Sequence, residues 1–314
     1  MKTFNLLFLA LTALLSTTSV EAYTYTQDFN VFVEKSNFSA PLPPDSDVIL
    51  TMGRPTKKQL PAKNWSFLVW NLHKGEDETF RSEFLALTFN RDIIMNQEVY
   101  LDKNMKDVFR LLLPYNIQTA TSFFYGREKI RTGVANISAV APETSQFIRT
   151  ELREPVLKSP KISLVSTYPI RFSKRSLTVV NIHGINFVTN ASFQKELERI
   201  YQQIKDIPSP LVFAGDFNTW NEERVQMLNE YAKKLNLQEA SFLPDNRITF
   251  NGNFLDHFLH TSDIKVTKAR VDIIYKGSDH KPLTVEVEYL GSKDDADYSD
   301  SEEDIEDQNT QASL

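Results

Sequence analysis

From residue 64 onward, short apolar runs alternate with segments whose apolar residues recur at helical spacing. Short apolar runs are typical of buried strands, whereas apolar positions three or four residues apart are typical of helices that bury one face. This alternation predicts a layered α/β domain, with helices packed outside β-sheets. The predicted strands are 67–70, 93–95, 162–166, 177–182, 211–214, 271–274 and 283–287, and the predicted helices are 80–89, 193–204 with Ser192 as its N-cap, and 222–235.

The composition narrows the chemistry that such a domain can perform. The chain has 314 residues, of which 41% are hydrophobic and 24% charged, so it can bury a sizeable core. It contains no cysteine, which excludes disulfides, thiolate zinc sites, cysteine nucleophiles and an N-terminal cysteine lipid anchor. Any metal ligands must therefore be oxygen and imidazole groups.

The two ends of the chain differ from its body. Residues 1–22 combine a basic start, an apolar run over 4–15 and a small-residue end, which predicts a cleaved secretory signal peptide. An uncleaved anchor is the alternative, but a spanning helix needs about 20 apolar residues. Residues 291–314 carry nine acidic residues and one lysine, so we expect a solvated, disordered tail. We therefore expect an exported protein, periplasmic or extracellular, without stable membrane insertion.

Between the signal peptide and the first strong strand, residues 23–63 contain prolines at positions 41, 43, 44, 55 and 61. Proline lacks a backbone N–H and interrupts helices and central strands. We therefore expect an extended lead-in without regular structure, followed by a catalytic domain over 64–290. The net charge of residues 23–290 is +2, which permits an anionic substrate without requiring one.

Histidines and oxygen ligands follow the apolar runs. His183, His257, His260 and His280 lie at or beyond the predicted strand ends, where α/β enzymes commonly assemble their sites. Carboxylates accompany them, and hard oxygen ligands of this kind suit Mg²⁺ or Mn²⁺. In chain order the polar segments are Trp70-Asn71, Gln97-Glu98, Asn181-Ile182-His183, Gly215-Asp216-Phe217-Asn218, Leu255-Asp256 and Ser278-Asp279-His280-Lys281-Pro282-Leu283.

These six segments, in this order, resemble the motif series of the metal-dependent endonuclease/exonuclease/phosphatase superfamily. Residues 180–187 and 132–135 are further similar to its YafD-like bacterial branch. The resemblance covers about residues 64–289. It implies a four-layered α/β sandwich of the DNase I-like kind, in which two mixed β-sheets pack face to face with helices outside.

The resemblance also implies a phosphoester-cleaving site at one edge of the sandwich, with Mg²⁺ or Mn²⁺ and no organic cofactor. Glu98 would be the principal metal ligand, with Asn71 beside it and Asp279 completing the cluster. A phosphodiester resists attack, so the site needs a cation, a base for water and a donor for the departing oxygen. The implied catalytic residues are His183, Asp216, Asn218, Asp256 and His280.

Two assignments stay open at this point. Either Asp216 or His280 could be the general base, with Asp256 fixing the ring of His280. His183 would donate to a non-bridging or leaving oxygen, but the residue that orients it is not identified. Asn136 could orient it, although a hydrogen-bonded strand amide is the simpler interpretation of Asn136.

The substrate is not fixed by these residues, because one fold and catalytic set can serve several substrates. A nonspecific endonuclease acting on DNA, or also RNA, as a monomer best fits an exported enzyme. The alternative is a sphingomyelinase-like or inositol-phosphate phosphodiesterase; the former should expose an apolar hairpin, for which residues 122–125 are a weak candidate. A noncatalytic binding protein on the same scaffold is the third hypothesis.

Overall fold

The computed structural model describes residues 39–155 and 157–291. The predicted signal peptide, the first part of the lead-in and all but the first residue of the predicted acidic tail lie outside the described residues. Within the described part, no helix is long and apolar enough to cross a membrane.

Two mixed β-sheets form the centre of the described chain. The first consists, in spatial order, of β1 (Ile49–Met52), β4 (Asn116–Tyr125), β5 (Ile130–Ser138), β3 (Ile93–Tyr100), β2 (Asn64–Asn71), β15 (Leu283–Tyr289) and β14 (Ile264–Val271). The second consists of β10 (Leu237–Glu239), β13 (Asp256–Thr261), β9 (Leu211–Asp216), β8 (Ser176–His183), β7 (Ile162–Pro169) and β6 (Thr144–Arg149). A separate ribbon pairs β11 (Thr249–Phe250) with β12 (Asn253–Phe254). The pairs β2–β3 and β8–β9 are parallel, which makes both sheets mixed.

The sheets pack face to face, and helices cover their outer faces. Phe67 of β2 contacts Phe258 of β13 edge to face, with ring centroids 5.3 Å apart, inside the apolar layer between the sheets. The outer face of the first sheet packs against α1 (Phe80–Thr88) and α2 (Lys103–Arg110). The outer face of the second packs against α3 (Asn190–Ile204) and α4 (Glu222–Lys234). The predicted four-layered α/β sandwich is confirmed.

The lead-in contains more regular structure than its prolines suggested. A 3₁₀ turn at Asp45–Asp47 precedes β1, which pairs antiparallel with β4. The expectation of no regular structure was wrong here, because the prolines flank residues 49–52 and leave that segment's backbone N–H groups available. The lead-in therefore supplies the edge strand of the first sheet.

Two local predictions also need correction. The third helix of the chain is capped by Thr189, whose hydroxyl accepts from the backbone N–H of Ser192 at 3.2 Å, and not by Ser192 itself. The strand predicted over 271–274 ends at Val271, where pairing with the first residue of β15 stops. Ile273 and Ile274 instead lie exposed in the loop over residues 272–282, which leads to His280.

Candidate active site

Three strands of the second sheet bring acidic and imidazole side chains to one edge. β8 and β9 are parallel and end there together, with His183 opposite Asp216. β13 is antiparallel to β9, so it begins where β9 ends and places Asp256 on the other side of Asp216. Asp256 was predicted to follow an apolar run, whereas it is the first residue of a strand. Strand pairing thus makes neighbours of three residues that are distant in the sequence.

Asn71 connects the first sheet to this edge. Its side-chain Nδ2 donates to Oδ2 of Asp216 at 3.0 Å, across the boundary between the sheets. Its Oδ1 accepts from the backbone N–H of His73 at 3.1 Å, and its backbone oxygen accepts from the hydroxyl of Ser278 at 2.6 Å. The amide therefore fixes the relative positions of both sheets and of the loop that carries His280.

A β-bulge presents Glu98 to the site. The pairing of β3 with β5 breaks between Asn96 and Val99, and Glu98 adopts a φ of 51°. A bulge turns a side chain out of the regular alternation of its strand. A positive φ at a residue other than glycine is strained, and such strain is often found at functional sites. The Glu98 carboxylate remains 28% exposed, whereas Gln97 is fully buried and donates to Oδ1 of Asn181 at 2.6 Å.

The end of β9 is held in an unusual conformation. Gly215 has a φ of 137°, and a Cβ at this position would lie 2.2 Å from the carbonyl oxygen of Ile182, so a side chain cannot be accommodated. Asn218 has a φ of 55°, and its backbone N–H donates to Oδ1 of Asp216 at 2.9 Å. Its side-chain amide donates to the carbonyl oxygen of Gly184 at 2.9 Å. These contacts fix both Asp216 and Asn218 at the edge.

His280 and Asp256 form a close ion pair. The Nδ1 atom of His280 lies 2.7 Å from Oδ2 of Asp256, and its Nε2 atom lies 4.0 Å from Oδ2 of Asp216. Burial alone would lower the pKa of His280, but attraction to Asp256 and the hydrogen bond with it outweigh burial and raise that pKa to about 10. Asp256 therefore orients the ring, as the resemblance implied, and keeps it protonated.

His183 lies on the opposite side of Asp216 with a different partner. Its Nε2 atom is 3.6 Å from Oδ2 of Asp216 and 3.9 Å from Oε1 of Glu98. The ammonium nitrogen of Lys161 lies closer, at 3.0 Å from the same Nε2 atom. Burial, followed by the positive charge of Lys161, lowers the pKa of His183 well below its usual value. The ring is therefore neutral, with the lone pair of Nε2 accepting from Lys161.

The carboxylates of the site respond in opposite ways to these charges. Burial would raise the pKa of Glu98, but nearby cations, Lys161 and Lys74 among them, lower it to about 2, so Glu98 is ionised. Burial raises the pKa of Asp216 above the ordinary carboxyl range, and the charge of Asp256 raises it further, although His280 and the N–H of Asn218 oppose this. Asp216 is thus the site's carboxylate most ready to accept a proton.

The other candidate residues differ in their distance from this centre. Asp279 is 57% exposed, and its Oδ1 atom lies 4.0 Å from Nδ1 of His73, at the outer rim of the site. His257 is buried between Thr219 at 2.8 Å and Glu239 at 3.0 Å. His260 lies further along β13 and contacts its neighbour's backbone oxygen at 3.0 Å. The hydrogen bonds of His257 and His260 are therefore structural.

Three charged residues around the site were not predicted from the sequence. Lys161 and Glu154 lie before β7, next to His183, and their atoms Nζ and Oε1 are 3.4 Å apart. Arg224 of α4 is fully buried and donates to the backbone oxygen of Asn218 at 2.9 Å, with its guanidinium 4.4 Å from the Trp220 ring centroid. The basic residue directly before the predicted strand 162–166 was the available signal for Lys161, because that strand pairs with the strand ending at His183.

Asn136 does not orient His183. Its Nδ2 donates to the hydroxyl of Ser166 at 3.0 Å, and its Oδ1 accepts from Asn181 at 3.0 Å. These contacts join the two sheets below the site. The interpretation of Asn136 as a hydrogen-bonded strand amide is therefore the correct one.

The donor set fits a hard divalent cation. Mg²⁺ is usually held by one or two carboxylates and keeps several waters. Glu98 offers an ionised, partly exposed carboxylate, and the side-chain oxygens of Asn71 and Asp279 both lie against His73. Among residues 39–155 and 157–291, no group of three or more His, Asp or Glu side chains is spaced to hold a metal ion. Any cation would therefore depend on few protein ligands.

Solved structures with the same fold include several bacterial proteins and a human catalytic domain. An endonuclease/exonuclease/phosphatase family protein from Leptotrichia buccalis is 18% identical, with a TM-score of 0.55, over 72% of this chain and all of that chain. The catalytic domain of human Nocturnin, solved with a bound sulfate anion, is 19% identical, with a TM-score of 0.53, over 78% of this chain and 98% of that domain. These likenesses confirm the DNase I-like fold.

Sequence comparisons identify the family. A UPF0294 protein of Vibrio cholerae is 31% identical over 227 residues, covering 72% of this chain and 78% of that protein. A UPF0294 protein of Yersinia enterocolitica is 32% identical over 257 residues, covering 77% and 91%. These relatives confirm the likeness to the YafD-like branch. The model of the endonuclease/exonuclease/phosphatase family matches residues 68–280. The chain therefore belongs to the endonuclease/exonuclease/phosphatase family, within a superfamily of phosphoester hydrolases.

Proposed function

We propose that this protein is an exported, divalent-metal-dependent phosphodiesterase that acts as a nonspecific endonuclease on DNA. The observation that carries the proposal is the arrangement around Asp216. This carboxylate lies between a protonated histidine fixed by Asp256 and a neutral histidine, and Glu98 lies against the neutral one. Phosphodiester hydrolysis needs a proton acceptor, a proton donor and stabilisation of negative charge.

The electrostatics divide the roles of Asp216 and His280. A histidine with a raised pKa carries its proton at neutral pH and cannot take one from water. His280 is therefore suited to donate from Nε2 to a phosphate oxygen. Asp216, whose pKa is also raised, accepts the proton of the attacking water, and the backbone N–H of Asn218 fixes the Asp216 carboxylate for this role. This assigns the general base to Asp216.

Metal dependence is part of the proposal. Glu98 would hold the cation, assisted by Asn71 and Asp279. When bound, Mg²⁺ or Mn²⁺ would neutralise negative charge on the phosphate and assist departure of the leaving oxygen. Ionisation of Glu98 at neutral pH, with its pKa near 2, supports this assignment.

The choice of DNA and of export depends on the sequence. The predicted signal peptide favours an extracytoplasmic enzyme, periplasmic or secreted, and the charge of +2 over residues 23–290 permits an anionic substrate such as DNA. A monomer is proposed, since the candidate site is assembled entirely from elements of one chain.

A phospholipid phosphodiesterase is the second candidate, favoured by one observation. The loop over 272–282 exposes Ile273 by 60% and Ile274 by 74%, a few residues before His280. An exposed apolar pair beside the site would suit a membrane surface. The segment 122–125 lies at the end of β4, in the hairpin that β4 forms with β5, and none of its residues is fully exposed.

The test is to incubate the purified protein with supercoiled plasmid in Mg²⁺, in Mn²⁺ and in EDTA, and to follow nicking on a gel. We expect nicking with metal, none in EDTA, and a loss of about 10²- to 10⁴-fold in His280→Ala. His260→Gln is the matched control, because its ring lies away from the site. If the plasmid is nicked in neither Mg²⁺ nor Mn²⁺, the proposed nuclease activity is contradicted. Release of phosphocholine from sphingomyelin vesicles would then support the second candidate, and inactivity on both substrates would support a noncatalytic scaffold.

A further inference from the structure

Lys161 is a cation of the site to which the proposed mechanism gives no role. Its ammonium nitrogen lies 3.0 Å from Nε2 of His183 and 3.4 Å from Oε1 of Glu154, and its side chain is only 15% exposed. Its backbone is fixed by Thr150, whose hydroxyl accepts from the N–H of Lys161 at 2.9 Å and whose N–H donates to the oxygen of Lys161 at 2.9 Å. A lysine on an open surface would not be held in this way.

Glu154 is the second residue that holds the ammonium group of Lys161. Its Oε1 atom also accepts from the backbone N–H of Asn186 at 2.8 Å, in the segment that follows β8. Its own backbone N–H donates to the oxygen of Ser159 at 2.9 Å. Glu154 is therefore fixed at both its backbone and its side chain, so the position of Lys161 is determined before any ligand arrives.

The negative charges of the site favour a cation at the position of Lys161. Glu98, Asp216 and Asp256 would repel an anionic phosphodiester from the site unless positive groups compensate. His183 does not offer a donor at Nε2, because this atom accepts from the ammonium group of Lys161 at 3.0 Å. An ammonium group has three N–H donors. Its contacts with His183 and Glu154 occupy two, which leaves one donor for an oxygen atom of a ligand.

We propose that Lys161 is a further catalytic residue, whose ammonium group binds a non-bridging oxygen of the scissile phosphate. The inference rests on the proposed phosphodiesterase function and transfers to Lys161 the donor role that the sequence had suggested for His183. Glu154 and His183 are then positioning residues for the ammonium. A fixed cation aimed at developing negative charge stabilises the transition state more strongly than a solvated one.

The test compares Lys161→Met, which removes the charge but keeps the length of the side chain, with Lys161→Arg, which keeps the charge. Lys268→Met is the matched control, because Lys268 pairs with Glu286 on the far edge strand β14. Affinity for inorganic phosphate is measured by calorimetry, in EDTA and in Mg²⁺. Hydrolysis of bis(p-nitrophenyl) phosphate supplies kcat and KM.

We expect Lys161→Met to weaken phosphate binding about tenfold and to lower kcat about 10²-fold, with partial recovery in Lys161→Arg. Affinity for Mg²⁺ should not decrease, which separates this role from metal binding. If the methionine variant does not fold, Lys161→Gln provides a second neutral side chain.

Equal phosphate affinity and equal kcat in the native and neutral variants would overturn the inference, as would a native protein that binds no phosphate in either condition. Phosphate binding that depends on Lys161, in a native protein that hydrolyses no diester, would support the anion site and contradict the proposed function. The two claims can therefore fail separately.

Discussion

Two histidines flank the same carboxylate at nearly the same distance, yet their protonation states are opposite. The Nε2 atoms of His280 and His183 lie 4.0 Å and 3.6 Å from Oδ2 of Asp216. His280 has Asp256 against its other ring nitrogen, and its pKa is raised to about 10. His183 has the ammonium group of Lys161 against Nε2, and its pKa is lowered well below the usual value.

The difference shows that the closest partner, and not the residue type or the distance to Asp216, decides what each ring can do. The His183 side chain is 8% exposed and the His280 side chain 11%, and this removal from water disfavours the charged form of each. Only the carboxylate of Asp256 overcomes that cost. His280 is therefore the protonated side of the site, whereas on the other side the positive charge belongs to Lys161.

The largest difference between the two histidines is expected in the kcat of their variants. His280→Asn removes a protonated donor and should lower kcat by about 10²- to 10⁴-fold. His183→Asn removes a neutral ring and leaves Lys161 in place, so the loss should be about tenfold, the equivalent of one neutral hydrogen bond. Steady-state kinetics on a chromogenic phosphodiester measures both. Equal losses in the two variants would mean that the rings do not differ in role.

A smaller effect is expected on the pH dependence of stability, measured in EDTA by urea unfolding. The raised pKa of His280 means that its contribution is fully present below pH 6.5 and is lost as the pH rises toward 10, by at most about 1.4 kcal/mol per pH unit. The lowered pKa of His183 gives the opposite sign: its contribution is present above pH 6.5 and is lost as the pH falls below that value. The difference in free energy of unfolding between the native protein and each asparagine variant isolates these terms. Slopes of the same sign for both would contradict the assigned charges.

Much of the fold followed from the apolar pattern. The runs at 67–70, 177–182 and 211–214 are strands, and the helical spacing over 80–89 and 222–235 corresponds to α1 and α4. The pattern failed where pairing, and not composition, decides the structure. Residues 271–274 are apolar, but the chain leaves the sheet after Val271 to form the loop before β15.

The sequence predicted most residues of the site but not the protonation states of their side chains. The motif order brought together Asp216, Asp256 and His280, and the structure places them in contact. Lys161 and Glu154 belong to no such segment, because their role comes from the antiparallel pairing of β7 with β8. A contact made only by strand pairing leaves no local pattern in the sequence.

The pH dependence of kcat for bis(p-nitrophenyl) phosphate, in the native protein and in Asp256→Asn, tests the central claim most directly. We predict that native activity rises as Asp216 ionises, above the ordinary carboxyl range, and falls as His280 loses its proton near pH 10. In Asp256→Asn the pH at which kcat falls should shift toward 6.5, the ordinary pKa of histidine. The maximum kcat of this variant should also be lower. A falling limb at the same pH in both proteins would contradict the assignment of His280 as the protonated donor held by Asp256.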